Sequence, residues 1–153
     1  MGIFHDIASR IAHSMTALTG DKVLMQAMVS GAANVIVADG EVDNEEIEAA
    51  LAGMRANPVL EKAYGTLTLE GELFEGIDRA RSRAGRAENL HMVAAIADRA
   101  LEQRNSAFLI AADVADYEGI SEIEHTALNE IAAALQVDKA ALLAASPAFP
   151  RAI

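Results

Sequence analysis

Val35-Ile36-Val37-Ala38-Asp39-Gly40-Glu41-Val42-Asp43-Asn44-Glu45-Glu46 is the stretch on which the fold turns. Its first four residues close an apolar stripe, Val23, Ala27, Gly31, Val35 and Ala38, whose three- and four-residue spacing marks one helix face. Asp39-Gly40 then breaks the pattern. Asp43-x-x-Glu46 follows with the spacing of a capping box, in which each side chain satisfies a free backbone N–H at a helix start. Ile47, Ala50, Leu51 and Met54 form the inward stripe of the next helix, which closes before Asn57-Pro58. The segment reads as helix, acidic loop, helix.

The same pattern recurs downstream. Ala115-Asp116-Tyr117-Glu118-Gly119-Ile120-Ser121 leads into a second box, Ser121-x-x-Glu124, 78 residues after the first, with Ile123, Leu128, Ile131 and Leu135 as its stripe. Outward from these two units the helical period continues. Ile3, Ile7, Ile11 and Met15 predict a first helix, and residues 58 to about 64 a short one with proline in its first turn. Thr68 is expected to cap a helix whose Leu69, Leu73, Phe74, Ile77 and Ala80 face the core. Leu90, Val93, Ala94, Ala97 and Leu101 predict another helix running to residues 103–105, and Phe108, Ala112 and Ala115 carry the pattern on to Glu118-Gly119. Asp138 caps a last turn through Leu143, and the tail, 146–153, with two prolines, is expected to fray. No segment alternates as a strand would. The expected fold is all-α: a compact bundle of about seven or eight helices, one domain over residues 1–145. Within it two pseudo-repeated helix–acidic loop–helix hairpins carry their loops on one side.

Composition agrees and removes several kinds of function. A chain of 153 residues has the length of one domain and buries roughly two thirds of its unfolded surface without covalent staples. Thirty-three alanines against four Phe, two Tyr and no Trp imply closely approached helices with small contacts. With no cysteine, disulfides, Cys-ligated zinc, iron–sulfur clusters and thiol nucleophiles are excluded. The net charge of −11 opposes a phosphate backbone, so no nucleic-acid partner is expected, and it favours cations or basic partner surfaces. His5, Asp6, Arg10 and His13 interrupt the N-terminal apolar pattern, against a signal peptide. No apolar run reaches the roughly 20 residues of a membrane span.

The two loops concentrate the chemistry. Residues 39–48 hold six carboxylates and residues 113–124 five more. Packing such charge together costs Coulomb energy that a hard cation removes; Ca²⁺ takes roughly six to eight oxygen ligands. Only His125 lies nearby, which argues against a softer metal. An EF-hand does not fit. With Gly40 or Gly119 at loop position six, position one is Val35 or Val114, so neither loop supplies the ligand set alone. The candidate ligands therefore span both loops: Asp39, Glu41, Asp43, Glu46, Asp116, Glu118 and Glu124. Asp43, Glu46, Ser121 and Glu124 also have a capping task, and carboxylates at helix starts are favoured by the helix dipole with or without a metal.

The four scattered histidines form no HExxH pattern, and neither a GxSxG elbow nor a P-loop is present, so a non-enzymatic protein is expected. Arg79, Arg81, Arg83, Arg86, Arg99 and Arg104 put half of the basic residues into 26 positions. They form either solvated helix ends favoured by the dipole or a docking face. The second possibility makes the chain a metal-independent adaptor with acidic and basic faces. Met15, Met25, Met28, Met54 and Met92 are expected as core filler.

An apolar helix, then Asp-Gly-x-x-Ser/Asp-x-x-Glu, then an amphipathic helix, twice in about 150 residues, resembles the tellurite-resistance TerB family. The matching segments are residues 35–46 and 110–124, with Leu128-Asn129-Glu130-Ile131-Ala132-Ala133-Ala134-Leu135 and the Asp138-started turn as their sequel. The likeness covers roughly residues 20–145. It differs in the extra Glu41 of the first loop and in Glu118-Gly119, preceded by Asp116, where the second has Glu for Asp. The resemblance implies an all-helical cytoplasmic stress-response protein with a metal-binding acidic cluster, working beside membrane-associated or calcium-binding partners. By position it assigns Asp39 and Glu118 as the acidic members, with Asp43–Glu46 and Ser121–Glu124 as the helix-start pairs.

Overall fold

The computed structural model describes residues 21–115 and 119–146, which form eight helices and, among these residues, no strand. In chain order they are α1 (Lys22–Val37), α2 (Asn44–Ala56), α3 (Pro58–Ala63), α4 (Thr66–Ala80), α5 (Arg83–Ala94), α6 (Leu101–Ala115), α7 (Glu122–Leu135) and α8 (Lys139–Ala145). The expected first helix through Ile3, Ile7, Ile11 and Met15, the loop residues 116–118 and the tail from 147 lie outside the described residues.

Helix starts follow side-chain chemistry. Asp21 accepts the Leu24 N–H at 3.1 Å to open α1, Asn57 accepts those of Val59 and Leu60 ahead of Pro58, and Asp138 takes the Ala141 N–H at 3.0 Å. Ser121 and Glu124 form the complete reciprocal box. At the first hairpin Asp43 instead accepts the N–H of Glu45, one residue short of the box geometry. α4 departs from expectation: it starts at Thr66, two residues before Thr68, behind Gly65 and without a side-chain cap.

α1 is the centre of the bundle. It is buried on nearly every side, through Leu24, Met25, Met28, Val29, Val35 and Ile36, and packs against α4, α5 and α6. A helix apolar all round belongs inside a protein. α2 lies on α6, and α6 on α7, so the first helices of the two hairpins touch each other as well as their own partners. The small side chains Ala27, Ala32, Ala33, Ala111 and Ala112 are all buried, and they permit this close approach. Phe108, the largest fully buried side chain among the described residues, sits in the same core; its truncation to Ala would cost about 3–5 kcal/mol. Met25, Met28 and Met54 are core filler, as expected.

Five residues expected to face inward do not, the exposed Ala94 among them. Val23, Phe74, Leu101 and Ile123 are 45, 44, 55 and 57 % exposed. In α1 the core extends around the helix, so one stripe does not describe it. Leu73 rather than Phe74 takes the core position in α4. The expected helix through Leu90 and Leu101 is two helices: α5 ends at Ala94, and three-residue turn bonds (Ile96 N–H to Val93, Ala97 to Ala94, Arg99 to Ile96) make a corner. Ile96 is buried in that corner, and Leu101 falls on the first residue of α6.

Candidate metal centre

Two glycines shape the loops. Gly40 has φ 85° and Gly119 φ 93°, backbone conformations open to glycine and unfavourable to most other residues. In the first loop the chain turns sharply after α1, and the Asp39 carboxylate accepts the Glu41 N–H at 3.1 Å across an Asx turn. This turn fixes the Asp39 side chain next to the first turn of α2.

The two hairpins meet at their loops. A cavity of about 220 Å³ is lined by Asp39, Asp43 and Glu46 from the first and by Val114, Ala115, Gly119, Ser121 and Glu124 from the second. One carboxylate oxygen each from Asp39, Glu46 and Glu124 lies within 4.8 Å of the other two. Glu46 and Glu124 are 9 and 6 % exposed, whereas Asp39 is open to solvent. Glu124 uses Oε1 to accept the Ser121 N–H at 3.0 Å, while Ser121 Oγ accepts the Glu124 N–H at 3.2 Å. The box thus holds Glu124 in one orientation toward the cavity.

Of the seven sequence-derived ligands, the structure gathers Asp39, Glu46 and Glu124. Asp43 lines the same cavity, but its carboxylate is directed at the Glu45 N–H. Glu41 is exposed and takes part through its backbone N–H. Asp116 and Glu118 lie outside the described residues. Sequence reading did not single out Val114 and Ala115, the last two residues of α6. They close one side of the cavity at the C-terminal end of α6.

The electrostatics suit a hard divalent cation. Buried carboxylates as close as Glu46 and Glu124 repel by about 3 kcal/mol at an effective dielectric of roughly 20. The N-termini of α2 and α7 offset part of that, each worth roughly half a positive charge. Three carboxylates against those two ends leave about two negative charges. All of the gathered side-chain donors are oxygen, the preference of Ca²⁺ and Mg²⁺ and a poor match for copper or zinc.

The arginine cluster is mostly committed elsewhere. Arg79 Nε donates to Asn89 Oδ1 at 2.8 Å, and Arg86 Nη1 to the Ala80 carbonyl at 2.9 Å, at the end of α4. Arg104 donates to the Leu135 and Gln136 carbonyls at the end of α7, as the dipole favours. Arg99 grips Asp21 with two bonds, 2.6 and 3.1 Å. That guanidinium holds the Asp21 carboxyl below its usual range against the opposing effect of burial, and the carboxylate in turn raises Arg99. Arg81 makes a long, exposed pair with Asp78. The Arg83 side chain makes no hydrogen bond or ion pair among the described residues.

Set against known protein families, curated proteins and solved structures, the chain matches none of them.

Proposed function

We propose that this chain is a non-enzymatic stress-response protein that binds one divalent cation, Ca²⁺ by preference, between its two acidic hairpins. The observation that carries the proposal is the convergence of Asp39, Glu46 and Glu124 from hairpins 78 residues apart within 4.8 Å of each other. Asp43 and the end of α6 line the same cavity. Such a site clamps two halves of the bundle, so occupancy is read out as rigidity of the loop end. That is the property of a cation sensor or buffer, which needs no reaction centre. The TerB-like motifs supply the cellular setting of this proposal: tellurite and related chemical stress, in the cytoplasm, beside membrane-associated or calcium-binding proteins. No helix among the described residues is long and apolar enough to cross a membrane.

Calorimetric titration of chelator-treated protein with CaCl₂ tests the proposal. One saturable site per chain, competed by chelator and weaker for Mg²⁺, is expected. No saturable heat at millimolar Ca²⁺ would overturn it.

A further inference from the structure

A second concavity, of about 580 Å³, lies beside the acidic cavity, with the end of α1 as its floor and α5 and α7 as its walls. Along α5 it is lined by Arg83, Arg86, Ala87 and Leu90, and along α7 by Ile123, Thr126, Ala127 and Glu130. Both sets follow the i, i+3, i+4, i+7 spacing of a single helix face. Two facing stripes of two helical turns each, with alanines at their middles, form a trough for a third helix. Its chemistry is mixed. Ile123 stands 57 % exposed on one wall, and Leu90 and Val37 are half-buried at the other wall and the floor. Two guanidiniums against one carboxylate make the lining net positive in a chain of −11. Arg83, exposed and with no side-chain hydrogen bond or ion pair among the described residues, is the cation left over for a ligand.

We infer that this groove docks a short acidic amphipathic helix of a partner protein, its apolar side chains over Ala87 and Ala127 and against Ile123, and a carboxylate on Arg83. Charge complementarity selects the acidic partner: a basic helix would meet Arg83 and Arg86, and a purely apolar one would leave their charges unmatched. Docking here does not require the cation.

The test is selection of a phage-displayed library of helical peptides, randomised at surface positions, against the full chain. Enriched sequences are expected to pair apolar residues at i, i+4 with a flanking Asp or Glu. The same peptides should bind Arg83→Glu and Ile123→Asp at least tenfold more weakly. Both side chains are exposed, so unchanged circular-dichroism melts should accompany the loss, and a milder Arg83→Gln substitution should weaken binding part-way. No enrichment, enrichment without acidic residues, or equal binding by the variants would overturn the inference. Binding to phosphatidylserine vesicles without peptide enrichment would overturn it in favour of a lipid surface.

Discussion

Glu46 and Glu124 occupy the same place in two helices, the third residue of α2 and of α7, and their buried carboxylates converge on one cavity. The pairing explains how a hairpin repeat becomes a site. Each glutamate is held at a helix N-terminus, where its charge is favoured, and the two hairpins then bring these ends face to face. Asp39, fixed by its Asx turn, adds the third oxygen. A capping device used twice yields a cation-sized cluster once.

Glu124→Gln separates charge from capping. Glutamine retains the bond to the Ser121 N–H that the box requires and removes one of two mutually repelling charges, so melts without metal should match the parent or rise above it. Added Ca²⁺ at a hundred times the parent dissociation constant stabilises the parent by about 2.7 kcal/mol. The variant should lose most of that gain, alone and more fully with Asp39→Ala. A metal-independent adaptor would instead show no calcium effect in either protein.

The ion pair between Asp21 and Arg99 gives the fold an acid-sensitive joint. Asp21 caps α1 and is bonded twice by Arg99 from the α5–α6 corner. Because its carboxyl is held below the usual range in the folded state, the stability it contributes is full above the unfolded pKa and is lost as pH falls through the folded one. Asp21→Asn keeps a competent cap but removes the charge, at a cost of about 1–3 kcal/mol near neutral pH. Denaturant melts at pH 7 and pH 3 should show the parent–variant gap shrinking at the lower pH.

Gly85 and Gly71 should respond in opposite directions. A Cβ on Gly85, in the first turn of α5, would stand on the backbone carbonyl of Arg79, which no side-chain rotation can relieve. Gly85→Ala is expected to cost about 3 kcal/mol or more. Gly71, in the middle of α4, has open space around it, so Gly71→Ala should stabilise by about 0.5–1 kcal/mol. Chemical denaturation of the two variants side by side checks both signs.

Asn89 is the hub of the buried polar network. It is fully buried, accepts from Arg79 at 2.8 Å, and donates to Asn34 Oδ1 and the Gly76 carbonyl at 2.9 and 3.0 Å. Asn89→Ala leaves these groups unsatisfied and should cost about 1–3 kcal/mol. A double-mutant cycle with Asn34→Ala should show a coupling of about 0.5–3 kcal/mol, since the two side chains share a bond.

Much of this was legible in the sequence because helix boundaries are local chemistry. Asp43, Asn57-Pro58, Ser121 and Asp138 announce starts by their own side chains, and Asp39-Gly40 announces a stop. What escaped was decided by tertiary contact. Nothing in the run from Leu90 to Leu101 breaks a helix; the corner exists where Ile96 is buried and Arg99 reaches Asp21. Ile123 and Phe74 fit a helical stripe but lie just off the face the core claims. The acidic loops marked the site, yet not which carboxylates meet: Glu41 and Asp39 are two residues apart, and the φ of Gly40 between them sets their directions. Arg83 could not be told from its committed neighbours by sequence, because the difference lies in which carbonyls the others reach.

The most direct measurement is a Ca²⁺ titration of chelator-treated protein followed by residue-resolved NMR at near-physiological salt. The expected result is a set of saturable shifts confined to residues 39–46 and 119–124, rising with one common affinity in both loops. An unresponsive pair of loops, or diffuse shifts that vanish with added salt, would contradict a shared cation site.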